Sequence, residues 1–145
     1  MNHMTYKEYS WFVDERAPKS SVGIKLLRAF VSGGLICVIG QVIMNLISLT
    51  GLPKDSVSAL TSITLIFIGG LLTALDIYNQ IAKFAGAGSI VPITGFANAV
   101  VSPAIEFKSE GLVLGMSAKM FVIAGPVLVY GITASIICGL ILLIL

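Results

Sequence analysis

Four uncharged stretches divide the chain and restrict its fold more than any other feature: Ala29–Pro53 (25 residues), Ser56–Leu75 (20), Phe84–Ile105 (22) and Met120–Leu145 (26). A helix needs about 20 apolar residues to cross a hydrocarbon layer of ~30 Å. The first, second and fourth stretches meet that on length and composition. Residue usage agrees, with 57% apolar and only 11% charged residues and a mean hydropathy of +1.00, whereas soluble domains carry roughly 25% charged residues. The expected architecture is an all-α polytopic membrane protein: three full transmembrane helices plus a re-entrant, broken-helix region from Phe84 to Gly125. Residues 1–28 form a polar N-terminal segment and residues 29–145 the membrane domain. Ala29–Pro53 is too long to be the ~7–15-residue core of a cleaved signal, so it is expected to remain as an anchor.

Orientation follows from the polar segment. Lys7, Arg16, Lys19, Lys25 and Arg28 are five of the nine basic residues, and the positive-inside rule places them in the cytoplasm. Tyr6, Tyr9, Trp11 and Phe12 accompany Lys7 and Glu8, a stretch that lies in the headgroup region, docks on a partner, or is simply a flexible tail. Ala17–Ser21 should break any helix, with Lys25 and Arg28 marking the membrane boundary. Gly51–Asp55, reading Gly-Leu-Pro-Lys-Asp, is a turn between antiparallel helices. The second helix should start near an N-cap at Asp55 or Ser56 and continue past Leu75 to about Lys83.

The third stretch departs from this pattern. Gly86, Gly88, Pro92, Gly95, Asn98 and Pro103 make a continuous lipid-facing helix unfavourable, because unpaired backbone groups find no partner in lipid. Phe84–Pro92 is expected to be a non-helical re-entrant loop, with a short helix starting near Pro92–Thr94; an ordinary kinked span is the alternative. Gly86 and Gly88 would supply conformations other residues strain to adopt. Glu106–Gly111 is the only charged cluster after the tail and should interrupt the chain. Gly125–Pro126 then divides a half-helix carrying Lys119 from a last span.

Helical spacing gathers polar residues into stripes. Gly33, Cys37, Gln41 and Asn45 recur every four residues, as do Thr94, Asn98, Ser102 and Glu106, and Ser62, Gly69, Thr73, Asp76, Gln80 and Lys83 share one side of the second helix. These are either interhelical hydrogen-bonding glue or the lining of a polar pathway. Asp76 and Lys83 either pair near the interface or line that pathway, since a charge at depth is costly. Lys119, alone in an apolar run, is the strongest single candidate for a functional charge, unless it snorkels to water. The candidate substrate pathway is thus Gln41, Asn45, Asp76, Lys83, Asn98 and Lys119. Gly111 with Gly115, and Gly131 with Ser135 and Gly139, have the spacing of close helix contacts, within the chain or between subunits.

Other function classes are weakly served. A net charge of +2 is too small and scattered for a nucleic-acid partner. Cys37 and Cys138 read as small buried residues rather than a disulfide or zinc site. With His3 the only histidine, no catalytic set, metal site or cofactor is expected, and the chain is not expected to be an enzyme. A conducting subunit is favoured over a non-conducting anchor or scaffold for a soluble partner, which has no use for costly intramembrane charges.

Three strings are specific enough to compare with known families: Gly33-Gly-Leu-Ile-Cys-Val-Ile-Gly-Gln41, Lys83-Phe-Ala-Gly-Ala-Gly-Ser-Ile-Val-Pro-Ile-Thr-Gly-Phe-Ala-Asn98 and Ser102-Pro-Ala-Ile-Glu-Phe-Lys-Ser-Glu-Gly-Leu-Val-Leu-Gly115. They resemble the stage V sporulation protein AC family, SpoVA-type membrane proteins of endospore-forming bacteria, over nearly the whole chain. The related AE family is similar in the same region but typically lacks so long a polar N-terminal extension. The resemblance implies a channel or transporter subunit in the forespore and spore inner membrane. Its solute would be dipicolinic acid, as the calcium chelate, taken up in sporulation and released at germination. Implied partners are stage V sporulation proteins AD and AE in an oligomer or hetero-complex, with membrane lipid around it. The resemblance carries no established functional residues, so the pathway residues rest on their chemistry: a planar pyridine with two carboxylates needs donors such as Lys119, Asn98 and Gln41.

Overall fold

A computed structural model of the protein describes residues 5–16 and 21–144, and every regular element among them is helical. The expected break at Ala17–Ser21 lies, apart from Ser21, outside these residues. Helix α1 (Tyr6–Arg16) follows directly on Thr5. There Glu8 reaches back to the start of its own helix, accepting from the Thr5 backbone N–H at 2.9 Å and the Thr5 hydroxyl at 2.5 Å, which is the return half of a capping box.

Helix α2 (Val22–Ser48) is 27 residues long, about 40 Å at 1.5 Å per residue. It begins a full two turns before Ala29, so Lys25 and Arg28 are part of the helix. The chain then turns through Leu49–Pro53, with Gly51 at φ 73, and α3 (Lys54–Ala74) returns antiparallel for 21 residues. Its N-cap is Pro53, with Asp55 in the first turn, two or three residues ahead of the expected cap.

Helix α3 does not continue to Lys83. It stops at Ala74 because Asp76 adopts a left-handed conformation (φ 57, ψ 14), one that Asp tolerates better than most side chains. A separate helix, α4 (Ile77–Ala85), follows. The stretch Phe84–Pro92 is also not the non-helical loop expected. It holds the end of α4 and a single turn, α5 (Ala87–Ile90), and the interruptions are confined to Gly86 (φ 54, ψ −127) and to Val91–Pro92. Glycine provides the first reversal, and proline, without an N–H, ends the second.

Helix α6 (Ile93–Glu106) starts as expected after Pro92. It is seated against α3 by close contacts. Gly69 abuts Thr94, where a Cβ on the glycine would lie 3.0 Å from the Thr94 backbone, and four residues on in both helices the Thr73 hydroxyl donates to Asn98 Oδ1 at 3.0 Å. Gly70 in turn faces the Val101 side chain, seven residues beyond Thr94, so one short stretch of α3, Gly69 to Thr73, packs along two turns of α6. At 14 residues, or about 21 Å, α6 is too short to cross. No element of Leu75–Glu106 is long enough to cross by itself, which suits a re-entrant segment that enters and leaves on the side where α3 ends and α2 begins.

The break at Glu106–Gly111 is present, as a 3₁₀ turn (Lys108–Glu110) and Gly111 at φ 95. A π-helical turn (Leu112–Ser117) then leads into α7 (Ala118–Ile144). The wide winding is anchored by the Met116 N–H donating to the Gly111 carbonyl at 2.9 Å. Gly115, the buried residue of this turn, packs closely on Glu110. Gly125–Pro126 does not divide the last segment, because Pro126 sits inside α7, as proline can in a membrane helix. Lys119 consequently belongs to the first turn of a full span, and the broken region runs from Leu75 to Ser117 instead of from Phe84 to Gly125. Among the described residues three segments are long and apolar enough to cross: Val22–Ser48, Lys54–Ala74 and Leu112–Ile144.

Burial is concentrated around the interruptions. Helix α2 has no buried residue and α7 has only Ala124, whereas Gly69, Tyr78, Ala85, Gly88, Ser89, Thr94, Gly95 and Ala97 are all buried. Cys37 and Cys138 are exposed on the chain, contrary to the burial expected. In lipid an apolar side chain has no need of a protein neighbour, so apolarity alone does not drive it into the core.

Candidate functional site

The re-entrant segment is held by close backbone approach. A Cβ on Gly88 would collide with the Ala29 carbonyl of α2 and come within 2.5 Å of Ser32 Oγ, while one on Gly95 would collide with the Ser89 carbonyl. Only hydrogen fits at these positions, and this is how α5 and the start of α6 reach the centre of the bundle. Tyr78 ties the break together. Its hydroxyl lies 2.8 Å from the Ser89 carbonyl, to which it donates, and 3.1 Å from Thr94 Oγ1. Ser89 Oγ in turn donates to the Gly86 carbonyl at 2.9 Å. Carbonyls freed where the helix stops thus regain partners, as backbone at membrane depth requires. Among the described residues no buried side-chain nitrogen or oxygen lacks a partner.

The candidate pathway residues fall into separate groups. Asn98 is half-buried where α6 meets α3, bonded to Thr73, whose single hydroxyl proton is shared with the Gly69 carbonyl at 2.7 Å. Gln41 donates to Asn45 at 2.9 Å, and both are exposed on α2. That pair satisfies itself on an open helix face. Asp76 is exposed at the α3–α4 break, accepting from Asn79 Nδ2 at 3.3 Å. Lys119 is exposed, with its ammonium 4.6 Å from the centroid of the Phe107 ring. Gly86 and Pro92 form the two interruptions, and Gly88 and Gly95 make the close approaches.

Lys83 stands with two residues the spacing argument did not single out. It lines a cleft of ≈ 480 Å³ together with Lys25 and Arg28, over a floor that includes Leu26, Phe84 and Ala87. The Arg28 guanidinium is 5.1 Å from the centroid of the Phe84 ring. In the sequence Lys25 and Arg28 mark only a helix boundary, and nothing local links them to Lys83, 58 and 55 residues further on. A second crevice of ≈ 330 Å³, lined by apolar residues of α2, α3 and α4 with Tyr78 and Thr94 at its polar edge, lies beside the Gly88 contact. Gly131 and Gly139, on the outer part of α7, have open space around them, so no helix contact within the chain uses their face.

Residues 25–141 match the family model described as SpoVAC/SpoVAEB sporulation membrane protein. Stage V sporulation protein AC of Bacillus subtilis (strain 168) is 46% identical over 136 residues, covering 93% of this chain and 91% of that protein. No solved structure matches. The matched region takes in α3, the whole re-entrant segment and nearly all of α2 and α7, and the chain belongs to the SpoVAC/SpoVAEB family of sporulation membrane proteins.

Proposed function

We propose that the chain is a pathway-forming subunit of a SpoVA assembly that moves dipicolinic acid, as its calcium chelate, across the spore inner membrane, inward during sporulation and outward at germination. The observation that carries this reading is the segment Leu75–Glu106, interrupted at Asp76, Gly86 and Pro92 and docked through Gly88 and Gly95 at the centre of a chain that otherwise consists of lipid-compatible helices. A non-conducting anchor gains nothing from such a segment, whereas discontinuous helices at membrane depth are the usual setting of solute sites in transporters. The exposed Gln41–Asn45 pair on α2 is costly against lipid and useful against a partner, so the pathway lies between subunits. Stage V sporulation proteins AD and AE are the partners we assign. The chain acts without catalysis, with its N-terminus in the cytoplasm, and its polar groups substitute transiently for the water around the chelate.

The test is co-reconstitution with the AD and AE partners of the same organism in liposomes loaded with calcium dipicolinate. Efflux is expected from the complete assembly and not when this chain is omitted. Lys119→Met and Asn98→Leu should each cut efflux sharply while the assembly still forms, and Lys119→Arg should retain part of it. The expected stability cost is small, about 0.6 kcal/mol for an interhelical hydrogen bond such as Thr73–Asn98. An assembly that forms fully but conducts no faster than empty liposomes would make the chain a scaffold.

A further inference from the structure

We infer that the cleft between the first two turns of α2 and the end of α4 is an anion site, specific for a group that presents two or more acidic oxygens on an apolar body. Lys25 and Arg28 are three residues apart on one face of α2, and Lys83 reaches the same space from the last turn of α4. The described lining includes these three cations and no carboxylate. Three like charges around one space repel one another, and a bound anion turns that repulsion into attraction. The volume, ≈ 480 Å³, falls within the range of small-molecule sites, which run from about 300 to 1,000 Å³. The walls are amphipathic: the cations form one part, while Leu26, Phe84 and Ala87 form an apolar remainder. The Arg28 guanidinium lies 5.1 Å from the Phe84 ring centroid, and its planar donors suit a carboxylate or phosphate in bidentate fashion. The cleft is also coupled to the broken segment, because its wall continues through Gly86 and Ala87 to Gly88, the residue seated on α2.

Two sources carry this chemistry: an aromatic dicarboxylate from solution, or the headgroup of an anionic lipid whose chains continue along the apolar wall. The first source rests on the solute proposed above, whereas the second does not. The test uses the full chain in nanodiscs, which expose both faces. In the first arm, free dipicolinate without calcium is titrated into protein in phosphatidylcholine nanodiscs. In the second, phosphatidylglycerol retention from mixed-lipid nanodiscs is measured by native mass spectrometry. Saturable binding in the first arm identifies the soluble dianion, and selective retention in the second identifies the headgroup. Whichever binds, the triple variant Lys25→Gln, Arg28→Gln, Lys83→Gln should weaken it about tenfold or more, as loss of charge-assisted contacts implies. Lys83→Gln alone, which leaves the orienting charges of α2 in place, should weaken it about threefold, with Lys83→Arg close to the parent and Lys108→Gln, outside the cleft, unchanged. Absence of binding in both arms, or binding that the triple variant leaves intact, overturns the site. Neither outcome touches the efflux assay, and loss of efflux with retained binding leaves the site standing.

Discussion

Helices α2 and α3 cross as unbroken rods and bury little, whereas the segment from Leu75 to Glu106 is interrupted at Asp76, Gly86 and Pro92 and supplies much of the interior. The two regions solve the same problem in opposite ways. A continuous helix satisfies its own backbone and can face lipid on every side, so its side chains need only be apolar. An interrupted helix frees N–H and C=O groups that lipid cannot satisfy, so it must be wrapped in protein with bonds rebuilt by side chains. Tyr78, Ser89 and Thr94 do that rebuilding, and Gly69, Gly88 and Gly95 clear the space. Packing precision in this protein is thus concentrated where the helix fails.

The sharpest way to break the comparison is to add one methyl group to each region. Gly88→Ala places a carbon on the Ala29 carbonyl, and Gly34→Ala places it in open space on the same face-to-lipid helix that receives Gly88. The first should cost about 3 kcal/mol, as an overpacked site that cannot relax, and abolish efflux in the reconstituted assembly. The second should change neither thermal stability nor efflux. Equal tolerance of both would mean that the re-entrant segment is not docked on α2.

A smaller effect is expected at the bonds that rebuild the break. Tyr78→Phe keeps the ring but leaves the Ser89 carbonyl without its side-chain donor, at a cost of about 1 to 3 kcal/mol, read as a lower thermal midpoint in detergent. Amide hydrogen exchange should rise at residues 86–96 and stay unchanged in α2 and α3. A rise spread evenly over all helices would deny the segment its separate identity.

The smallest effect lies outside the membrane. The Thr5 hydroxyl, and after it the Thr5 backbone N–H, holds the Glu8 carboxyl below its ordinary range. A carboxylate depressed in the folded state stabilises α1 above its unfolded pKa, and that contribution is lost as pH falls through the lowered folded value. Thr5→Ala should move the Glu8 titration up, followed by carbon-detected NMR, with no change in α2 to α7. An unchanged titration would mean the cap does not form in solution.

Much of this architecture could be read from residue order. The α2–α3 hairpin follows from two uncharged runs around Gly-Leu-Pro-Lys-Asp, the Glu106–Gly111 break from its charges, and the start of α6 from Pro92. The end of α3 could not be read this way, because the left-handed turn falls on Asp76 within a helical pattern and glycine is the usual signal for such a turn. Pro126 misled in the other direction: lipid offers no competing partners for the backbone, and α7 keeps its course through a single lost bond. Of the site, Asn98 and Lys83 were legible as polar residues on otherwise apolar helices. The gathering of Lys25 and Arg28 with Lys83 was not, since it exists only once Asp76 and Gly86 have turned α4 back against α2.

Re-entrance of Leu75–Glu106 is most directly tested by the sidedness of its two ends. With Cys37 and Cys138 replaced by serine, single cysteines at the exposed positions Asn79, Ser109 and Ser56 can be labelled with an impermeant thiol reagent in oriented membranes. Asn79→Cys and Ser109→Cys should label from the same face and Ser56→Cys from the opposite one. Labelling of positions 79 and 109 from opposite faces would mean that α4 to α6 cross the membrane, and the re-entrant fold would be wrong.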